Sequence, residues 1–161
     1  MGKSRFFTAV IGGIFFLAFC ACSNMNVQNA RNDYTNNNYK DAFKKFIRLA
    51  NQGNDTAQFY LGLMYEKGQG VTQDYALAAQ WYGKAAEQGY ADAQFSIGLL
   101  YYKGQGIIED FVQAHFWFNV AATSGDTLAQ EYRSSVEHEM IPDQIAQAQT
   151  LAREWFKKNH K

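Results

Sequence analysis

Residues 57–92 read AQFYLGLMYEKGQGVTQDYALAAQWYGKAAEQGYAD, and residues 93–128 read AQFSIGLLYYKGQGIIEDFVQAHFWFNVAATSGDTL. The second stretch is the first displaced by 36 residues, with 16 of 36 positions identical by direct count. Several of the remaining pairs are conservative, among them Leu61/Ile97, Met64/Leu100, Tyr75/Phe111 and Tyr82/Phe118. A unit of this length cannot bury an apolar face on its own, so successive units must stack. A stack of helix pairs makes a surface for holding something rather than a catalytic pocket.

Within each unit the apolar residues recur at helical spacing and divide into two helices. Helix A of the first unit runs over about Ala57–Glu66, with Ala57, Leu61, Met64 and Tyr65 on one stripe and Gly62 where a neighbouring helix approaches. The loop Lys67–Gln73 carries two glycines that supply positive φ without steric cost. Asp74 stands where a first-turn or capping acid accepts from free N–H groups. Helix B runs over about Tyr75–Gln88, and Gly89 closes it. The second unit repeats the plan with helices at about Ala93–Tyr102 and Phe111–Ser124. Trp81 and Trp117 hold equivalent positions and read as core, so truncating either to alanine should cost roughly 3–5 kcal/mol.

Outward from this centre the periodicity predicts a first helix around Val27–Thr35, a turn at Asn36-Asn37-Asn38, and a helix over Tyr39–Gln52 ended by Gly53. A third unit starts in register at Ala129 and then decays, with Ser134 in place of the glycine and no Gly-Gln-Gly loop. Pro142 then opens a long helix to about Lys158, apolar on one face and closed by basic residues, which reads as a capping helix.

The N-terminus has a different composition. Lys3 and Arg5 precede Phe6–Phe19, an uncharged apolar run too short for a membrane-spanning helix and suited to the core of a secretory signal. The following Phe19-Cys20-Ala21-Cys22 resembles the lipobox of bacterial lipoproteins, with Cys22 as the lipidated residue because Ala21 precedes it. Phe19 departs from the leucine usual three residues before that cysteine. An ordinary cleaved signal and an uncleaved anchor are the alternatives. No cysteine follows Cys22, so a mature chain starting there has no intramolecular disulfide, and a lipid thioether would remove its one free thiol. Ser23 after Cys22 implies, by the same resemblance, the periplasmic side of the outer membrane. The expected division is a signal peptide over 1–21, a tether over 22–26, an N-terminal unit over 27–56, repeats over 57–92 and 93–128, and a degenerate unit with its cap over 129–161.

The formal net charge is zero, from 15 basic and 15 acidic side chains, so nothing points to nucleic acid. The three histidines are His115, His138 and His160. In Glu137-His138-Glu139 adjacent helical residues point about 100° apart and cannot converge on one metal. Ser96, Ser124, Ser134 and Ser135 lack a lysine three residues on, so the Ser-x-x-Lys arrangement of penicillin-recognising enzymes is absent. The Gly-Gln-Gly loops lack the lysine and hydroxyl of a phosphate cradle and recur at repeat spacing, which favours a turn role. No cofactor, metal or catalytic residue is expected.

Residues 57–89 and 93–125 resemble the Sel-1-like repeat, a relative of the tetratricopeptide repeat, in their alternating small and aromatic residues, their G-x-G loop with a following apolar residue and Asp, and their tryptophan-to-glycine ending. The stretch ARNDYTNNNYKDAFKKFIRLANQGND is similar to the tetratricopeptide-like unit that opens such proteins, and MIPDQIAQAQTLAREW to their terminal helix. The resemblance implies an all-α fold, an α-solenoid of antiparallel helix pairs with a right-handed superhelical twist and a C-terminal capping helix. It also implies a role in protein–protein interaction. Carried over by register, the concave face receives Phe59, Leu63, Glu66, Lys67, Phe95, Leu99, Tyr102 and Lys103, with Glu131, Ser135 and His138 from the degenerate unit. The alternative for Phe59 and Phe95 is packing between neighbouring repeats, which leaves the more polar members as contacts. Cysteine-rich relatives are associated with penicillin binding and β-lactamase activity, but this chain lacks their cysteines. The expectation is therefore a lipid-anchored scaffold of the bacterial envelope that binds a protein or peptide. An envelope hydrolase acting on β-lactams or peptidoglycan is the second reading, and an adaptor that mainly oligomerises is the third.

Overall fold

The structure, a computed structural model, describes residues 26–159. The signal, the lipobox with Cys22, and His160 lie outside the described residues. All regular structure among the described residues is helical: α1 (26–35), α2 (Tyr39–Asn51), α3 (Asp55–Lys67), α4 (Tyr75–Glu87), α5 (Ala91–Lys103), α6 (Phe111–Ala122), α7 (Thr127–Glu137) and α8 (Pro142–Asn159). From α2 to α7 each helix packs on the next, and α8 lies against α6. The chain is an α-solenoid of helix pairs, α3–α4 and α5–α6 being the two full repeats.

Identical local chemistry shapes both repeats. Gly68 and Gly104 end α3 and α5 in the left-handed conformation and turn their N–H groups onto Met64 O and Leu100 O. Asp74 and Asp110 then start the second helices, accepting from Leu77 N and Gln113 N at 2.9 and 3.0 Å. Their own N–H groups reach back to Tyr65 O and Tyr101 O, closing the loop onto the helix it left. α3 begins at Asp55, two residues ahead of the first stripe residue Ala57, because Asn54 Oδ1 caps Ala57 N at 2.8 Å. The same position before α5 holds Tyr90, whose side chain forms no cap bond.

Packing inside a repeat depends on Gly62 and Gly98. A Cβ on Gly62 would lie 2.5 Å from the Tyr82 ring, and one on Gly98 would lie 2.8 Å from the Phe118 ring. The absent side chain lets these two fully buried rings lie against the helix backbone, which joins α3 to α4 and α5 to α6. Packing between repeats depends on the second loop glycine. Gly106 (φ 72°) sits so close to the start of α4 that a Cβ would lie 2.2 Å from Tyr75 C, and Gly70 meets Tyr39 at the start of α2 in the same way. The loop is thus both a turn and a joint to the preceding unit. A second joint is the buried glutamine of each AQF motif: Gln58 Nε2 donates to Ala50 O and Gln94 Nε2 to Ala86 O, both at 3.2 Å.

The core runs along the stack. α1–α3 share one cluster around Phe46, Leu61 and Met64, and α4–α6 share another around Tyr82, Leu100 and Trp117, which α8 covers with Leu151, Ala152, Trp155 and Phe156. This coverage separates the two tryptophans that the sequence treats as equivalent. Trp117 is 8% exposed beneath α8. Trp81 packs against the α1–α3 cluster but is only half-buried, with the Lys84 ammonium 4.2 Å from its ring centroid, so it lies at the edge of the core. His115 is buried in α6 with Nε2 2.7 Å from Glu137 Oε1, so Glu137, the last residue of α7, pairs across the helices rather than with its neighbour His138.

Candidate partner-binding surface

The first helices of successive units, α3, α5 and α7, carry the residues that register assigns to the concave face, apart from His138, which caps the C-terminus of α7. Their apolar members are partly consumed by the stack itself. The Phe59 ring stacks on Tyr90 at 4.9 Å and tilts against Tyr82 at 5.7 Å. Phe95 tilts against Phe118 at 5.6 Å and meets the Tyr132 ring edge-on at 5.5 Å. Leu63 packs on the α4–α6 cluster, and Leu99 on the cluster that α5 shares with α6, α7 and α8. All four are half-buried.

The polar members form the open part. Lys67 and Lys103 end α3 and α5 and are exposed, where a cation also complements the helix dipole. Glu66 Oε2 accepts from Tyr82 Oη at 2.5 Å, which fixes the carboxylate beside Lys67. Burial, then that bond to Glu66, pushes the Tyr82 phenol well above its usual range, so it remains a donor. Tyr102 lies between Phe111 and Tyr132, with ring centroids 6.0 and 6.3 Å away. Glu131, Ser135 and His138 are exposed on or just after α7, and Ser135 Oγ donates to Glu131 O.

Sequence reasoning missed part of this surface. Tyr132 touches Phe95, Tyr102 and Phe118 and ties α7 to the second repeat. Its signal was its register with Tyr60, which stacks on Phe46 at 4.8 Å in the first unit. At that N-terminal end Arg31 Nε donates to Tyr60 Oη at 3.2 Å, with its guanidinium carbon 5.6 Å from the ring centroid. Tyr34 Oη donates to Gln69 Oε1, and Gln69 Nε2 donates to Tyr39 Oη, so the glutamine of the first Gly-Gln-Gly loop is a bridge to α1 and α2. Burial, then the neighbouring Tyr39, pushes Tyr34 up to about 12.

Chemically the surface offers ammonium, carboxylate, imidazole, hydroxyl and aromatic groups in a fixed frame. Among the described residues no group of three His, Cys, Asp or Glu side chains could hold a metal ion, and no helix is long and apolar enough to cross a membrane.

Helix pairs at 36-residue spacing, locked loop to helix, define a helical-repeat protein of the solenoid class. Residues 55–90 and 91–126 match the family model described as Sel1 repeat. Among solved structures it is similar to a protective antigen present in uropathogenic Escherichia coli strains displaying an SLR fold. That match has 33% identity and a TM-score of 0.80, covering 85% of this chain and 30% of the antigen. It is also similar to a Sel1 repeat protein from Oxalobacter formigenes, at 33% identity and a TM-score of 0.66, covering 80% of this chain and 55% of that one. The chain thus spans about a third and about half of these two structures. No curated protein matches it.

Proposed function

We propose that the chain is a protein-interaction scaffold of the bacterial cell envelope, exported by its N-terminal segment and anchored through a lipid on Cys22, that holds a peptide or protein along α3, α5 and α7. Sel1 repeats generally serve as protein-interaction scaffolds. One observation carries the reading further: the aromatic members of the assigned face are locked between repeats, while Lys67, Lys103, Glu131, Ser135 and His138 stay open around them. A preordered frame binds without the entropic cost of ordering itself. Mixed charge beside half-buried rings suits a peptide that brings both signs and an aromatic or aliphatic anchor.

A photocrosslinking side chain at Lys103 or Ser135, tested in native cells, should trap one discrete partner. The doubly reversed Lys67→Glu, Lys103→Glu chain should lose that product while keeping its helicity. Equal yield of the same product from a probe at Gln149, on the outer side of α8, would refute the assignment of the face. Palmitate labelling, abolished by Cys22→Ala, tests the anchor separately.

A further inference from the structure

The two repeats differ at one position that opens a cavity. In the first, Gln58 Nε2 donates to Ala50 O, and Gln58 Oε1 accepts from Gln88 Nε2 at 2.6 Å, which completes the amide. In the second, Gln94 Nε2 makes the equivalent bond to Ala86 O. The residue in the place of Gln88, however, is Ser124, whose polar atom reaches two bonds less far from the backbone. Gln94 is 2% exposed, and its Oε1 accepts no hydrogen bond from the described residues. It lines a cavity of about 360 Å³ together with Gln88, Ser124, Val120, Trp155 and Asn159.

The amide orientations in this cavity are fixed by their partners. Gln94 donates to Ala86 O, Gln88 to Gln58 Oε1 and Lys84 O, and Asn159 to Trp155 O. Each amide nitrogen thus faces an oxygen, with one further N–H left on Gln94 and on Asn159, and Gln88 Oε1, Gln94 Oε1 and Asn159 Oδ1 remain as acceptors. The helix ends add a second, independent bias. Gln88 is the cap residue of α4, and Thr123, which also lines the cavity, is the cap residue of α6. Two helix C-termini, each carrying partial negative charge, thus meet at one cavity. None of its lining side chains ionises. The nearest lysines bordering the adjoining space are Lys84, whose ammonium is held over Trp81, and Lys158.

We propose that the cavity between α4, α5, α6 and α8 is a binding site for a primary ammonium or guanidinium group, borne by a peptide side chain or by a free amine. Such a group brings several N–H donors and a positive charge to a place that offers acceptors and negative dipole ends. An anion meets the wrong sign, and a neutral alcohol brings one donor and no charge. The site stands on its own geometry and does not depend on the face formed by α3, α5 and α7.

The test is an NMR titration of the full ¹⁵N-labelled chain, following the Gln94 side-chain amide. The probes are n-butylammonium, Nα-acetyl-lysinamide, 1-butanol and butyrate. Saturable shifts are expected with the two cations and not with the alcohol or the carboxylate. A stronger response to Nα-acetyl-lysinamide assigns the source as a peptide side chain, and an equal or weaker one as a free amine. Ser124→Gln installs the residue that closes the first repeat and should weaken cation binding at least tenfold with unchanged helicity. Ser124→Asp adds a carboxylate and should tighten it at least threefold. The proposal is overturned if no probe gives a saturable shift, if butanol or butyrate binds as well as the cations, or if Ser124→Gln binds like the parent chain.

Discussion

Replacing Gly106 with alanine tests the joint between repeats, and Gly104 two residues earlier is its internal control. Both glycines have positive φ, 62° at Gly104 and 72° at Gly106, so alanine at either carries the left-handed penalty of about 1–2 kcal/mol. Their surroundings differ. At Gly104 the nearest atoms to a new Cβ are Glu109 Cβ at 3.3 Å and Glu109 N at 3.4 Å, in the same loop, so a shift of a few tenths of an ångström suffices. At Gly106 the new Cβ would lie 2.2, 2.4 and 2.5 Å from Tyr75 C, Ala76 N and Tyr75 O, all backbone atoms of the preceding repeat. Backbone in the first turn of a helix cannot swing aside as a side-chain tip can, so the loop must withdraw. Adding overpacking of about 1–3 kcal/mol to the conformational strain gives about 2–5 kcal/mol for Gly106→Ala. Urea unfolding followed by circular dichroism reads this directly. With a slope of about 2 kcal/mol per molar, the midpoint should fall by about 0.5–1 M for Gly104→Ala and by about 1–2.5 M for Gly106→Ala. Equal shifts, or a larger one at Gly104, would refute the claim that the second glycine is a joint.

Trp117→Ala should cost about 3–5 kcal/mol, the range for a large buried aromatic, whereas half-exposed Trp81 should cost clearly less; matched urea curves on the two variants check the order. Tyr82→Phe places in the first repeat the residue the second has at Phe118, so packing survives and the loss at neutral pH should be about 1 kcal/mol for the bond to partly solvated Glu66. The same variant should flatten the alkaline limb. The folded phenol sits above the unfolded value of 10.0, so its stabilisation is intact below about pH 10 and is lost at higher pH, as the unfolded chain releases the proton first. A stability curve from pH 8 to 11.5 that is as steep for Tyr82→Phe as for the parent would contradict that assignment.

The 36-residue identity made the helix pairs legible, because a period is a statement about stacking that needs no coordinates. Gly62 was readable as a site of close approach, and the structure supplies the Tyr82 ring that uses it. Gly70 and Gly106 were legible only as turn formers, since the contact that singles them out comes from the preceding repeat, 31 residues away along the chain. Trp81 and Trp117 looked alike because register ignores α8, a non-repeating helix that covers only one of them. On the assigned face, register could place Phe59 and Phe95 on the first helices. Which partner each ring would find depended on Tyr90 and Tyr132, residues that differ between units. The acceptor cavity at Gln94 was invisible for the opposite reason. It arises where the repeats diverge, at Ser124, and a search for similarity passes over such positions.

The seating of each Gly-Gln-Gly loop on the first turn of the second helix in the unit before it has a consequence for length. The fitting is the same at Gly70 and at Gly106, so one further module cut at the 36-residue period would find its socket already formed by the module ahead of it. Such an insertion would lengthen the trough without altering its cross-section, whereas an insertion of any other size would leave one loop facing a side chain where it needs bare backbone.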